Sequence, residues 1–241
     1  MCTVSYIPPT EDSGFILTSN RDERIYRPTL SPEIYQVNGA EVCFPKDFVA
    51  GGSWIAASQN GRLACLLNGA YYPHEKKDFH THSRGKVLID LAASQEDPMF
   101  FFSYKDLSLT EPFTVVTIDM KEGKMNGFTE FIWDGTKKYL KELDASKPYL
   151  WSSVTLYTEA QRNLRRKWFN SFLLQHNMQV TAEQVFAFHS GKHTEDESIN
   201  LVMKREEGLK TVSITQVVTD RIAYSMRYLD LYENTVHLQK I

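Results

Sequence analysis

The residue best equipped for chemistry stands second in the chain. Cys2 lies directly behind Met1, and start-methionine removal favours a small second residue. With Met1 gone, Cys2 would carry a thiol and a free α-amine. A cysteine enzyme ordinarily needs a partner imidazole to make its thiolate, because a free thiol has a pKa of about 8.5. An α-amine titrates at about 8, so part of it is an unprotonated base at neutral pH. It can take the thiol proton directly or through water and later return it to a leaving amine. That is the logic of the triad variant built on threonine and an N-terminal amine. From position alone the plainer reading wins: a small apolar residue opening a strand.

The stretch FILTSNRDERIYRP adds to the case for chemistry. It puts Asn20, Arg21, Asp22 and Glu23 straight after an apolar strand. If residues 2–7 and 14–19 form a hairpin around PPTEDSG, the end of the second strand lies beside the start of the first. Asp22 then comes within reach of the Cys2 amine, where a carboxylate would orient that amine and tune its pKa. Arg21 either pairs with Asp22 or Glu23, or holds an anionic group of a substrate. In GGSW, Gly51 and Gly52 either permit a tight turn or bring the loop close to Cys2, with Trp54 as a pocket wall. Tyr71 and Tyr72 are candidates to line an acyl pocket; Phe100–Phe102 fit core packing better. His74, His80 and His82 read as a polar surface loop, since no carboxylate or cysteine nearby completes a metal shell. His189 and His193 invite a general-base reading, but such histidines more often end a helix. No metal site is expected.

These residues need elements to hold them. β-like runs fall at 2–7, 14–19, 54–58 and 62–68, separated by Asp12-Ser13-Gly14 and the hairpin signal Asn60-Gly61. Val87, Leu88, Leu91 and Ala92 predict a helix over 83–95. Asp97-Pro98 starts a second, with proline at the first helical position. FTVVTIDM and GFTEFIWDG predict a further strand pair. Leu164, Trp168, Phe169, Phe172 and Leu173 predict a helix over 157–176, with Arg162, Arg165, Arg166 and Lys167 on its solvated face. Thr181 with Gln184 reads as a capping box for a helix to about His189. TVSITQVV and IAYSMRYLDL, joined at Asp220-Arg221, return to strands. This order predicts α+β with antiparallel sheets rather than a βαβ wound sheet.

With 241 residues, 42% hydrophobic, the chain can bury a substantial core, and with no linker or repeat a single domain over 1–241 is expected. A net charge of −3 lacks the basic footprint of a nucleic-acid binder. Three widely spaced cysteines fit reduced thiols better than a disulfide framework. No apolar run reaches the roughly 20 residues that span a bilayer, and SYIPPTEDSG is no secretory h-region. A cytoplasmic protein without stable membrane insertion is expected. Phosphate-loop, dinucleotide, zinc-protease and serine-elbow motifs are absent.

MCT at the start, SNRDE at 19–23, GGSWIAASQNGRLACLLN at 51–68 and SRGKVLIDL at 83–91 together resemble the NRDE family, the transport and Golgi organisation protein 2 family. LWSSVTLYTEAQRNLRRKW at 150–168 resembles its later segment more loosely. The family is similar in turn to N-terminal-nucleophile hydrolases of the penicillin V acylase and bile-salt hydrolase type. That resemblance implies a four-layer αββα sandwich of two mostly antiparallel sheets. It also implies a cysteine amidohydrolase acting on carbon–nitrogen bonds other than peptide bonds, through a thioester acyl-enzyme and without a cofactor. Residue by residue, Cys2 matches the nucleophile, Asp22 the acid that holds its amine, and Asn68 the oxyanion-hole asparagine. Ser19 stands where those hydrolases have an arginine. Their second asparagine falls near Ser152–Ser153, so Ser153 joins Arg21, Trp54 and Tyr71 as substrate-binding candidates; Lys210 or Arg205 would stand for a late arginine. The expected partner is a small N-acyl or lipid-like molecule. The alternatives are a non-catalytic carrier or sensor of a lipid, acyl thioester or haem-type ligand, and an acyltransferase.

Overall fold

The computed structural model describes residues 3–10, 13–220 and 223–241; Cys2, Asp12 and Arg221 lie outside them. Two antiparallel sheets face each other. The first runs β10-β1-β2-β11-β12-β13, the second β3-β4-β5-β6-β7-β8-β9. In the first sheet β1 is Thr3–Ile7, β2 Ile16–Arg24, β10 Tyr149–Ser152, β11 Leu209–Thr219, β12 Tyr224–Asp230 and β13 Thr235–Lys240. In the second, β3 is Thr29–Val37, β4 Ala40–Asp47, β5 Ile55–Ser58, β6 Arg62–Asn68, β7 Phe113–Lys121, β8 Lys124–Trp133 and β9 Lys138–Glu142. Helices α1 (Arg84–Ala93) and α2 (Pro98–Tyr104) pack outside the second sheet; α3 (Glu159–Gln175) and α4 (Ala182–Ser190) pack outside the first.

Strand alternation sorts three cores. Val4, Tyr6, Leu17, Leu63, Cys65 and Leu67 meet between the sheets. Ala64 and Leu66 point the other way, to α1 and α2, where Phe102 stacks on Phe131 at 3.5 Å between centroids. Ile7 and Ile16 join Phe169, Leu173, Val185 and Phe188 under α3 and α4. The layers are therefore αββα, as the resemblance implies. Burial on both faces explains why β6 reads as a continuous apolar run.

Most predicted elements form, with informative differences. The strand expected at 14–19 runs on to Arg24, so the NRDE stretch is strand rather than turn. At Asn60-Gly61 only Gly61 takes positive φ, +86°, and its oxygen accepts from Met120 N at 2.8 Å. Thr158 and Thr181 each head a capping box. The basic run on α3 is not one solvated face: Arg165 is fully buried, in line with Phe169 and Leu173.

Candidate active site

β1 and β2 pair with Thr3 opposite Asn20, and on its other edge Thr3 faces Ser152 of β10. The residue after Cys2 thus sits at the centre of the site. Cys2 itself lies outside the described residues. Alternation along β2 then sends Arg21 and Asp22 to opposite faces.

Asp22 is buried beneath α3. Its Oδ2 accepts from the Tyr157 hydroxyl at 2.5 Å and its Oδ1 from the Thr211 hydroxyl at 2.5 Å. The Tyr157 ring lies between guanidiniums, with Arg165 3.5 Å and Arg205 5.1 Å from its centroid. Arg165 also donates to the Thr3 hydroxyl and, from Nη2, to the Ile199 carbonyl at 3.1 Å and the Asn200 carbonyl at 2.5 Å. Tyr157, Thr211 and Arg165 were not among the residues singled out as functional from sequence. Arg165 had a signal, its spacing of four and eight from Phe169 and Leu173. Thr211 had none, since β11 pairs with β2 only through the fold.

Arg21 does not pair with Asp22. Its Nη2 lies 2.6 Å from Asp47 Oδ2 and 3.8 Å from Glu23 Oε2, and its guanidinium covers the Trp54 ring at 4.7 Å. Asp47 accepts at Oδ1 from the backbone of Val49 and Ala50, at 3.1 and 2.8 Å. Arg27 Nε lies 2.8 Å from the same Asp47 oxygen as Arg21, without hydrogen-bonding alignment. Trp54 is 3% exposed and belongs mainly to the inter-sheet core; its Nε1–H has no hydrogen-bond partner among the described residues. The close approach of GGSW that the structure describes is to α1: a Cβ on Gly52 would stand 2.8 Å from the Gly85 carbonyl carbon.

Two recesses open here. One, of about 790 Å³, is lined by Arg21, Asp47, Trp54, His80, His82 and Lys86 among others; a second, of about 250 Å³, by Tyr71, Trp151, Ser153, Arg162 and Arg166 among others. Asn68 lines both. Its backbone is fixed at the end of β6, where its carbonyl accepts from the Ser153 hydroxyl at 2.9 Å. Its side-chain amide makes no hydrogen bond among the described residues. Ser153 is 1% exposed and its hydroxyl is taken up by Asn68 and Thr155. The Ser152 and Ser19 hydroxyls are buried without a partner there. Tyr71 is 46% exposed and packs edge-on against Tyr139. Phe101 and Phe102 are core, whereas Phe100 is exposed. Lys210 lies opposite Glu23 on the neighbouring strand, and Arg205 is the closer of the two late cations to Asp22, through Tyr157.

The histidines scatter. His74 faces Glu111 at 3.3 Å, and His80 Nδ1 accepts from the Lys77 backbone at 3.1 Å. Among the described residues no three His, Cys, Asp or Glu side chains converge as metal ligands. His189 does more than end a helix. Fully buried, it bonds Ser5 Oγ through Nε2 at 2.7 Å and Asn20 Oδ1 through Nδ1. The order Ser5–His189–Asn20 mimics a nucleophile, base and orienting residue, but none of the three lines a recess described above. The Cys43 and Cys65 thiols are pushed up to about 12 by burial and are poor nucleophiles.

The family model described as Transport and Golgi organisation 2 matches residues 1–228. No curated protein matches the chain. Among solved structures, the chain resembles the Caenorhabditis elegans N-acylethanolamine-hydrolyzing acid amidase ortholog at TM-score 0.56 and 13% identity, covering 90% of this chain and 92% of that one. It also resembles an arginine-to-leucine variant of conjugated bile acid hydrolase from Clostridium perfringens at TM-score 0.53 and 9% identity, covering 99% and 92%. At these identities the likeness is one of fold. No helix among the described residues is long and apolar enough to cross a membrane.

Proposed function

The chain belongs to the Transport and Golgi organisation 2 family, and from that premise we propose that it is a cytoplasmic amidohydrolase of the N-terminal-nucleophile kind, cleaving a small N-acyl compound. After loss of Met1, the Cys2 amine takes the thiol proton and the sulfur attacks the amide carbonyl carbon. Asn68 Nδ2–H donates to the oxyanion of the tetrahedral intermediate. The intermediate collapses, the carbon–nitrogen bond breaks, and the departing amine takes the proton back from the Cys2 ammonium. Water, losing a proton to the same amine, then cleaves the thioester and frees a carboxylic acid and the thiol. Asp22 holds and orients the Cys2 amine throughout.

The observation that most supports this reading is the placement of Asn68, whose amide has no hydrogen-bond partner among the described residues where two recesses meet. Such a donor stabilises an oxyanion by roughly 3–4 kcal/mol where one is used. Arg21, Trp54, Tyr71 and Ser153 shape the recesses around it. A second reading, a carrier of an acyl thioester or similar anionic lipid, draws on the larger recess, where Lys76 and Lys86 form no ion pair with a described residue. The mass of the mature protein and a panel of N-acyl substrates test the proposal. It requires loss of Met1 and hydrolysis that vanishes in Cys2→Ala. Intact Met1, or no turnover with ligand binding retained by Cys2→Ala, overturns it in favour of the carrier.

A further inference from the structure

The two hydroxyls on Asp22 do more than satisfy a buried carboxylate. We propose that Tyr157 and Thr211 are positioning residues that fix the Asp22 carboxylate at the Cys2 amine, with Arg165 tying this clamp to the residue beside the nucleophile. The inference rests on the amidohydrolase reading and deepens it.

Both contacts, at 2.5 Å, have the length of charge-assisted O–H···O⁻ bonds. The Met203 backbone N–H donates to Thr211 Oγ1 at 2.9 Å and so orients the hydroxyl; its other acceptor, the Leu201 carbonyl, is at 3.0 Å. Tyr157 is 1% exposed, and cations on its ring fix its plane and polarise its O–H. Arg165 reaches both partners of the proposed pair: it stacks on the ring that holds the acid and bonds Thr3, the residue after Cys2. The charged groups around the carboxylate are Arg165 and Arg205 on the Tyr157 ring, Glu23 next in β2, and Lys210 opposite Glu23. A carboxylate that shares its charge with two hydroxyls holds an ammonium less tightly. The clamp therefore keeps the amine aligned while leaving more of it as free base near neutral pH.

Titration of the protein labelled with carbon-13 cysteine, followed by NMR, tests this. Cys43 and Cys65 stay silent in the working range because burial holds them at about 12. Tyr157→Phe and Thr211→Val should each raise the protonation constant of the Cys2 amine by about threefold to tenfold, the effect of losing one charge-assisted donor. Thr211→Ser, which keeps the hydroxyl, should titrate as wild type. If Tyr157→Phe does not fold, the two Thr211 variants decide the matter. Folded variants whose curves superimpose on wild type overturn the clamp alone. Wild type and Asp22→Asn titrating alike would mean that Asp22 does not face the amine, which overturns the amidohydrolase reading and this inference together.

Discussion

His189 makes the protein acid-sensitive by a calculable amount. Asn20 spends its Nδ2 on the carbonyls of His189 and Leu201, at 3.1 and 2.9 Å, so its Oδ1 faces the ring and His189 Nδ1 carries the proton. Nε2 then accepts from Ser5, and no acceptor is left for a second proton. Burial, with smaller contributions from His193 and Arg165, lowers the His189 pKa from 6.5 to about 3. The folded-state pKa is the depressed one, so below about 6.5 the unfolded chain binds a proton the native state refuses. Stability is present above that pH and is lost progressively as pH falls toward 3. The linkage integral gives a loss of about 2 kcal/mol between pH 7 and pH 5 and about 3 kcal/mol by pH 4, from this side chain alone. For a chain of this size, 2 kcal/mol corresponds to a Tm lowered by about 4–8 °C. Urea unfolding followed by tryptophan fluorescence at pH 7, 6 and 5 measures it, with His189→Asn as the comparison. The variant is less stable at pH 7, since Ser5 loses its acceptor, but its stability should fall less on acidification, by about 2 kcal/mol over the same interval. Equal acid slopes in the two proteins would show that His189 is not the buried neutral group described here.

Arg165→Met should destabilise by about 3–5 kcal/mol, because it orphans two buried carbonyls and the Thr3 hydroxyl, whereas Arg166→Met on the exposed side should stay within about 0.5 kcal/mol; thermal unfolding of the pair measures the contrast. Gly85→Ala would place a Cβ 2.7 Å from the Ser53 carbonyl oxygen and should cost about 1–3 kcal/mol by prising α1 from the β4–β5 loop, read as a lower urea midpoint at unchanged slope. Asn68→Ala should lower kcat roughly 100- to 1000-fold with KM little changed, and a drop in KM-controlled binding alone would contradict the oxyanion role. Iodoacetamide at pH 8 should label the native protein once, at Cys2, and leave Cys2→Ala unlabelled, as peptide mapping would record.

What could be read from the chain follows from the range of each interaction. β6 was legible to its last residue because its apolar run and the Asn60-Gly61 turn are local signals. The capping boxes of α3 and α4 are local in the same sense. β3 was not legible, since Pro32 falls in the irregularity between Leu30 and Glu33 on an edge strand, the one setting that tolerates it. β9 and β13 were missed because edge strands facing solvent carry no apolar alternation. The same logic governs the site. Cys2 and Asp22 announce themselves by residue type and by one short hairpin. The NRDE stretch nevertheless looked like a turn, because charged residues rarely lie buried in a strand without partners, and those partners are distant in sequence. Asp22 meets Tyr157 across 135 positions and Thr211 across 189; Arg21 meets Asp47 across 26. A buried charge is tolerated only when hydrogen-bonded and compensated, so Arg21 and Asp22 depend on the fold around them. Closure of the two sheets creates their environment, and the candidate site can exist only once β11 has paired with β2.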